Sequence, residues 1–222
     1  MSIFMGATIN DEHTYRDWNA AISNSDIISV PEPNTVLVDV PGRNGRLDLS
    51  EALTGDISYS NRAIKLVLIA SVNMQSWQDM CEHIFNKFHG RKVTVTFDDD
   101  PEHYYSGRAS VSDPQRIRNG AILTLTVDAD PFRYAKAEKQ VRIPGAGAAE
   151  SNGVIENSGR MTVAAVITAD AECQMVVEGR TYSLMAGKQT FELVIPPGRT
   201  PVTLKNCAAD KTVKFTFREG WL

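Results

Sequence analysis

The chain has 222 residues, 42% of them hydrophobic and 23% charged, which excludes a disordered chain, a collagen-like fibre and a coiled-coil rod. Its 23 Lys and Arg stand against 27 Asp and Glu, and a net charge of −4 is the wrong sign for holding nucleic acid by phosphate neutralisation. No apolar run approaches the roughly 18 residues of a membrane span. The opening Met1-Ser2-Ile3-Phe4-Met5-Gly6 lacks a basic region and meets Asp11 and Glu12 soon after, so no signal peptide is expected and folding is assigned to the cytoplasm.

In chain order, residues 35–40 (Thr-Val-Leu-Val-Asp-Val) and 63–70 (Ala-Ile-Lys-Leu-Val-Leu-Ile-Ala) are rich in β-branched side chains and predict strands. Between 71 and 90 the period changes. Trp77, Met80, Cys81, Ile84, Phe85 and Phe88 form one stripe at helical spacing, which predicts a core-facing helix over about 73–89, capped by Asn73 and stopped by Gly90. Residues 92–97 (Lys-Val-Thr-Val-Thr-Phe) alternate strictly, and 104–111 and 121–127 read as further strands.

The stretch 144–153 (Pro-Gly-Ala-Gly-Ala-Ala-Glu-Ser-Asn-Gly) has too little apolar bulk for a core and reads as a linker or long loop. With the polar 135–140 before it, it sets a domain boundary near residue 136. Charge divides there too: 1–135 holds 12 Lys/Arg and 18 Asp/Glu, net −6, and 136–222 holds 11 and 9, net +2. Beyond the boundary, seven short strands are expected at 154–157, 161–168, 173–178, 181–184, 188–194, 202–205 and 212–218. Turn signals such as Asn157-Ser158-Gly159 and Pro196-Pro197-Gly198 separate them, the pattern of an antiparallel β-sandwich. Phe215 and Phe217 share a face and are expected in its core.

Chemical signals are sparse. Asp98-Asp99-Asp100-Pro101-Glu102-His103 offers oxygen ligands for Ca²⁺ or Mg²⁺ but lacks the spacing of a calcium loop, and its composition suits a turn between two strands. His13 and His103 have no partner visible in the sequence. His83 and His89, six apart, fall on different helix faces. No nucleophile elbow, phosphate loop or dinucleotide fingerprint occurs. Cys81, Cys173 and Cys207 are odd in number and widely spaced, which predicts free buried thiols. No catalytic residue, cofactor site or metal site is assigned. Pro41-Gly42-Arg43-Asn44-Gly45-Arg46 marks a tight reversal that carries two arginines out of an acidic domain. It is either a solvated tip or a subunit contact through Arg43, Asn44 and Arg46.

These residues, taken in order, carry a resemblance. The string from Asp39 to Ser50 comes first, then Asn61-Arg62, a helix with Trp77, Thr96-Phe97-Asp98-Asp99-Asp100-Pro101, and Tyr104-Tyr105-Ser106-Gly107-Arg108. Together they resemble the distal tail proteins of long-tailed bacteriophages, in the version found in phages of Gram-positive hosts. The likeness covers most of residues 30–135 and extends more loosely through Asn157-Ser158-Gly159 and the closing Arg218-Glu219-Gly220-Trp221-Leu222.

The resemblance implies a mainly β, non-enzymatic structural protein of the virion tail tip. Its N-terminal domain (1–135) would be tail-tube-like with one helix and would form a hexameric ring. Its C-terminal domain (136–222) would be a galectin-like antiparallel β-sandwich. The implied partners are further copies of the chain, the tail-tube protein and tail-associated or receptor-binding baseplate proteins. DNA would pass the opening without specific binding, and an acidic lumen would keep it sliding. Some relatives carry inserted carbohydrate-binding modules; this chain has no length to spare for one. Two other functions compete: the sandwich acting as a sugar-binding module, weakened by its few aromatics (Tyr182, Phe191, Phe215, Phe217 and Trp221), and a cell-wall hydrolase.

Overall fold

The structure, a computed structural model, describes residues 6–23, 27–52, 55–70, 74–112, 114–117 and 120–222. The expected helix cap Asn73 lies outside the described residues. Two compact units are present, Met1–Arg133 (joined by Leu222) and Tyr134–Trp221.

In the first unit the strands are β1 (Ala7–Ile9), β2 (Glu12–His13), β3 (Ala20–Ile22), β4 (Leu37–Val38), β5 (Leu47–Asp48) and β6 (Arg62–Ala70). After helix α1 (Met74–Phe88) come β7 (Lys92–Phe97), β8 (His103–Val111), β9 (Gln115–Ile117) and β10 (Gly120–Ala129). They build an antiparallel sheet in the order β2-β1-β7-β8-β10-β6-β3, with β9 on the start of β10. Its spine is the β6–β10 pair, in register from Ala121↔Ala70 to Ala129↔Arg62. Along β6, Ile64, Leu66 and Leu68 are buried while Ala63 and Lys65 are exposed, so period-2 patterning fixes the register. Helix α1 buries Trp77, Cys81, Ile84 and Phe88 in the same core, and Phe88 meets Trp18 edge to face at 5.4 Å.

Residues 35–40, expected as a full strand, form only the two-residue β4, paired with β5 at Leu37↔Asp48 and Val38↔Leu47. Their apolar side chains join no core among the described residues: Val36, Leu37, Val38 and Val40 are all exposed.

The second unit begins at β11 (Arg133–Ala135), which pairs with β20 (Gly220–Trp221). Between them lie β12 (Lys139–Pro144), β13 (Ser151–Asn157), β14 (Val163–Ala169), β15 (Cys173–Val177), β16 (Arg180–Leu184), β17 (Gly187–Ile195), β18 (Gly198–Lys205) and β19 (Thr212–Phe217). Two four-stranded antiparallel sheets, β12-β19-β14-β17 and β13-β18-β15-β16, enclose a core that includes Ile155, Ile167, Met175, Leu204, Phe215 and Phe217.

The sandwich has eight strands against the seven expected, the additional one being β12, and the stretch 144–153 is a loop within the second unit rather than a linker between units. It closes β12, turns over 145–150 and opens β13 inside the second unit. Its small residues serve close packing. A Cβ on Gly145 would collide with the backbone carbonyls of Ala208 and Cys207, and one on Gly153 with the Ile143 side chain. Arg218 ties the ends of this unit together, its Nη1 donating to the carbonyls of Ala135 and Lys136 at 2.6 Å each.

Candidate functional site

The first candidate surface is the ribbon around β4 and β5. It is zipped at its root by Asn34 N donating to Ser58 O (2.9 Å) and Ser60 N to Glu32 O (2.8 Å), and farther out by Leu49 N to Val36 O (2.8 Å). Gly42 and Gly45 take positive φ (80° and 76°) and let the chain reverse at the tip. Arg43, Asn44 and Arg46 are exposed there. Arg46 Nη2 donates to Leu37 O at 3.0 Å, and its Nε lies 3.7 Å from an Asp39 carboxylate. Among the described residues the main packing of either strand is on the other. An isolated two-stranded ribbon is marginal in water, and this one holds Val36 at 53% and Val38 at 40% exposure.

The second surface lies on the solvent side of α1, against the turn between β1 and β2 and the segment that follows. Glu12 is its centre. Its carboxylate accepts from Trp18 Nε1 (2.6 Å), His83 Nε2 (2.9 Å) and Lys87 Nζ (2.5 Å). Partial burial pushes the Glu12 carboxyl up, but these donors, Lys87 foremost, outweigh it and hold it below its ordinary value. Glu12 holds Lys87 above its ordinary value in turn. Two adjoining hollows of about 540 and 510 Å³ share His83; Trp18 and Met80 line the first, and Asp79, Glu82 and Asn86 the second. The sequence offered no local signal for this group, because Glu12 and Lys87 stand 75 positions apart.

Asp98 and Asp100 of the acidic turn are engaged with neighbours. The turn joins β7 to β8, and the histidines without visible partners in the sequence find theirs here. His13 Nδ1 accepts from the backbone N–H of Tyr15 and Arg16 (3.2 and 3.1 Å), so its Nε2–H faces Asp98 at 3.0 Å. Asp100 binds His103 Nδ1 at 2.6 Å and Arg133 Nη1 at 2.7 Å. Burial raises the Asp100 carboxyl, and the hydrogen bond and charge of His103, with Arg133, overcome this and lower it. His89 stacks on Phe85 at 4.8 Å and accepts from Val111 N. Among the described residues no group of three or more His, Cys, Asp or Glu is placed to hold a metal ion.

A third polar cluster lies at the root of the ribbon. The buried Arg62 sits over the Tyr105 ring at 5.4 Å, and burial lowers its pKa. Cys81, Cys173 and Cys207 are free and buried. Burial pushes Cys81 and Cys173 up to about 11, with Cys207 adding to the second, values that leave them unreactive as nucleophiles. In the sandwich, Tyr182 and Phe191 pack edge to face at 5.8 Å against its core, and Trp221 Nε1 donates to Ser158 O.

The whole chain superposes on the Dit (gp 19.1) protein of SPP1, described as a paradigm of the hub adsorption apparatus of phages that infect Gram-positive bacteria. The TM-score is 0.70, with 98% of this chain and 99% of that one covered. The chain has a Dit-like fold. At 16% identity the likeness is one of architecture, and it includes the mainly β plan with one helix expected from the sequence. No protein-family model matches the sequence, and no curated protein matches it. No helix among the described residues of this Dit-like chain is long and apolar enough to cross a membrane.

Proposed function

We propose that this chain is a structural component of a bacteriophage tail tip, a distal tail protein rather than an enzyme. Its first unit would close a hexameric ring that joins the tail tube to baseplate or tail-fibre components. DNA would pass the opening without specific binding. The observation that carries this reading is the end-to-end likeness to SPP1 Dit, a hub adsorption protein, over 98% of this chain.

The ribbon supports it. An arm that holds valines and leucines exposed is what an assembling subunit requires. In this reading Arg43, Asn44 and Arg46 meet an acidic surface of the neighbouring copy. The acidity of the first unit suits a channel, since carboxylates facing the lumen repel phosphates and leave DNA free to slide.

Adding the tail-tube protein to the purified chain and imaging the mixture tests the proposal. Tubes capped at one end by rings support it. Tubes left bare at both ends, with the chain in excess, overturn it.

A further inference from the structure

We propose that the ribbon tip carries a site of spontaneous covalent modification: Asn44 deamidates through attack by the backbone nitrogen of Gly45, giving aspartate and isoaspartate at position 44. Water is the co-reactant, and the chemistry is independent of whether the chain closes a ring.

The chemistry begins with the sequence. An asparagine side-chain carbonyl and the backbone nitrogen of the next residue can close a five-membered ring, and a glycine there has no Cβ to obstruct the closure. The Gly45 nitrogen, its proton given to solvent, bonds to Asn44 Cγ. The Cγ–Nδ2 bond breaks, and ammonia leaves with a proton taken from water. A second step opens the cyclic imide by addition of water. Opening at Cγ gives aspartate; opening at the main-chain carbon gives isoaspartate, in which the chain continues through Cγ. One amide and one water become one carboxylate and one ammonium, and nothing is oxidised or reduced. The Asn-Gly pair occurs three times, at 44–45, 119–120 and 152–153. Residue 119 lies outside the described residues.

The fold separates the other two. Asn44 and Gly45 lie between β4 and β5, outside both strands, and are exposed. Among the described residues no hydrogen bond holds the Asn44 amide or the Gly45 N–H. A Cβ on Gly45 would meet nothing within 4 Å, so the space that the closing ring sweeps is open. The tip therefore reaches the closing geometry without breaking a hydrogen bond. Asn152-Gly153 is the opposite case. Both residues stand inside β13, paired to β18 at Asn152↔Thr203 and Gly153↔Val202. Thr203 Oγ1 donates to Asn152 Oδ1 at 2.8 Å and holds the amide that would have to turn. The Ile143 side chain fills the space beside Gly153. Extended backbone keeps the Gly153 nitrogen out of reach of Asn152 Cγ, so this pair reacts only after β13 opens. At the tip the product sets a carboxylate between Arg43 and Arg46 in sequence, and the isoaspartate form adds a methylene to the backbone at the reversal. An aged chain carries an altered tip.

The test incubates the full chain at mildly alkaline pH in water enriched in oxygen-18, once folded and once in concentrated guanidinium chloride. The folded sample is kept at a concentration and salt where native mass shows a single copy, so that no neighbour covers the tip. Peptide mapping with electron-transfer fragmentation then follows each Asn-Gly pair, and oxygen-18 in the product separates conversion during incubation from conversion during digestion. In the folded chain Asn44 is expected to convert at least about tenfold faster than Asn152, with both aspartate and isoaspartate formed. In denaturant the two pairs are expected to convert at the same rate, which assigns the difference to the fold. Asn44→Gln, which would need a larger ring, should retain the fold by circular dichroism and lose the product at position 44. Asn44 as slow as Asn152 in the folded chain overturns the site, and so does Asn152 as fast as Asn44. Aspartate formed without isoaspartate overturns the cyclic route. The tube-capping images decide the tail-tip reading separately.

Discussion

Glu12 shows how much one side chain can organise. It satisfies an indole, an imidazole and an ammonium drawn from two separate parts of the chain. Glu12→Ala leaves the Trp18 N–H, half-hidden under α1, without its acceptor, and should lower the unfolding free energy by about 1–3 kcal/mol in urea melts. The pH dependence follows from the direction of the shift. The folded carboxyl lies below its ordinary value of 4.5, so its contribution is complete above about pH 4.5. It is lost as pH falls through the folded pKa. The difference between wild type and Glu12→Ala should therefore be constant near neutrality and shrink in acid; a difference that grows below pH 4 contradicts this account. Gly145 is the second case. Gly145→Ala should cost about 1–3 kcal/mol, because the new methyl meets fixed backbone carbonyls rather than a side chain that can turn away. A thermal melt of the variant that matches wild type would refute the close approach.

Elements differ in what holds them. Helix α1 is held by its apolar stripe, and Phe88→Ala, which empties a fully buried site beside Trp18, should cost about 3–5 kcal/mol by denaturant unfolding. The ribbon behaves in the opposite way. Val36→Asp should change the stability of the isolated chain by less than about 0.5 kcal/mol, because Val36 is already exposed, yet it should weaken assembly. Loss of folding in that variant would show that the ribbon packs on its own chain.

The same contrast explains what the sequence reveals. Trp77, Cys81, Ile84 and Phe88 announce α1 because a helix that faces a core repeats its apolar residues every three or four positions. The β6 and β10 strands announce themselves by alternation. Residues 35–40 are just as rich in β-branched side chains and yet form almost no strand, since that composition reports a preference for extended backbone and not a partner to pair with. The short β1, β2 and β3 carry too few residues for any period, and the start of β13, ahead of the expected 154–157, is obscured by Gly153, whose missing Cβ lets Ile143 approach. The histidine and carboxylate pairs stay hidden for another reason. His13 meets Asp98 across 85 positions, a distance only the fold closes.

At the scale of the whole molecule, the first unit carries an exposed ribbon with two arginines at its tip, and the sandwich encloses an apolar core of its own. The proposed tail-tip role requires that copies of the chain repeat, and a heterologous contact that closes gives a ring. The measurement that tests this most directly is the native mass of the purified full chain across a concentration series, with negative-stain images of the same samples. The account predicts rings of six copies, about 146 kDa for a 24.4 kDa chain, that dissociate as salt is raised. A species that remains at 24.4 kDa at every concentration, and shows no ring in any image, would contradict it.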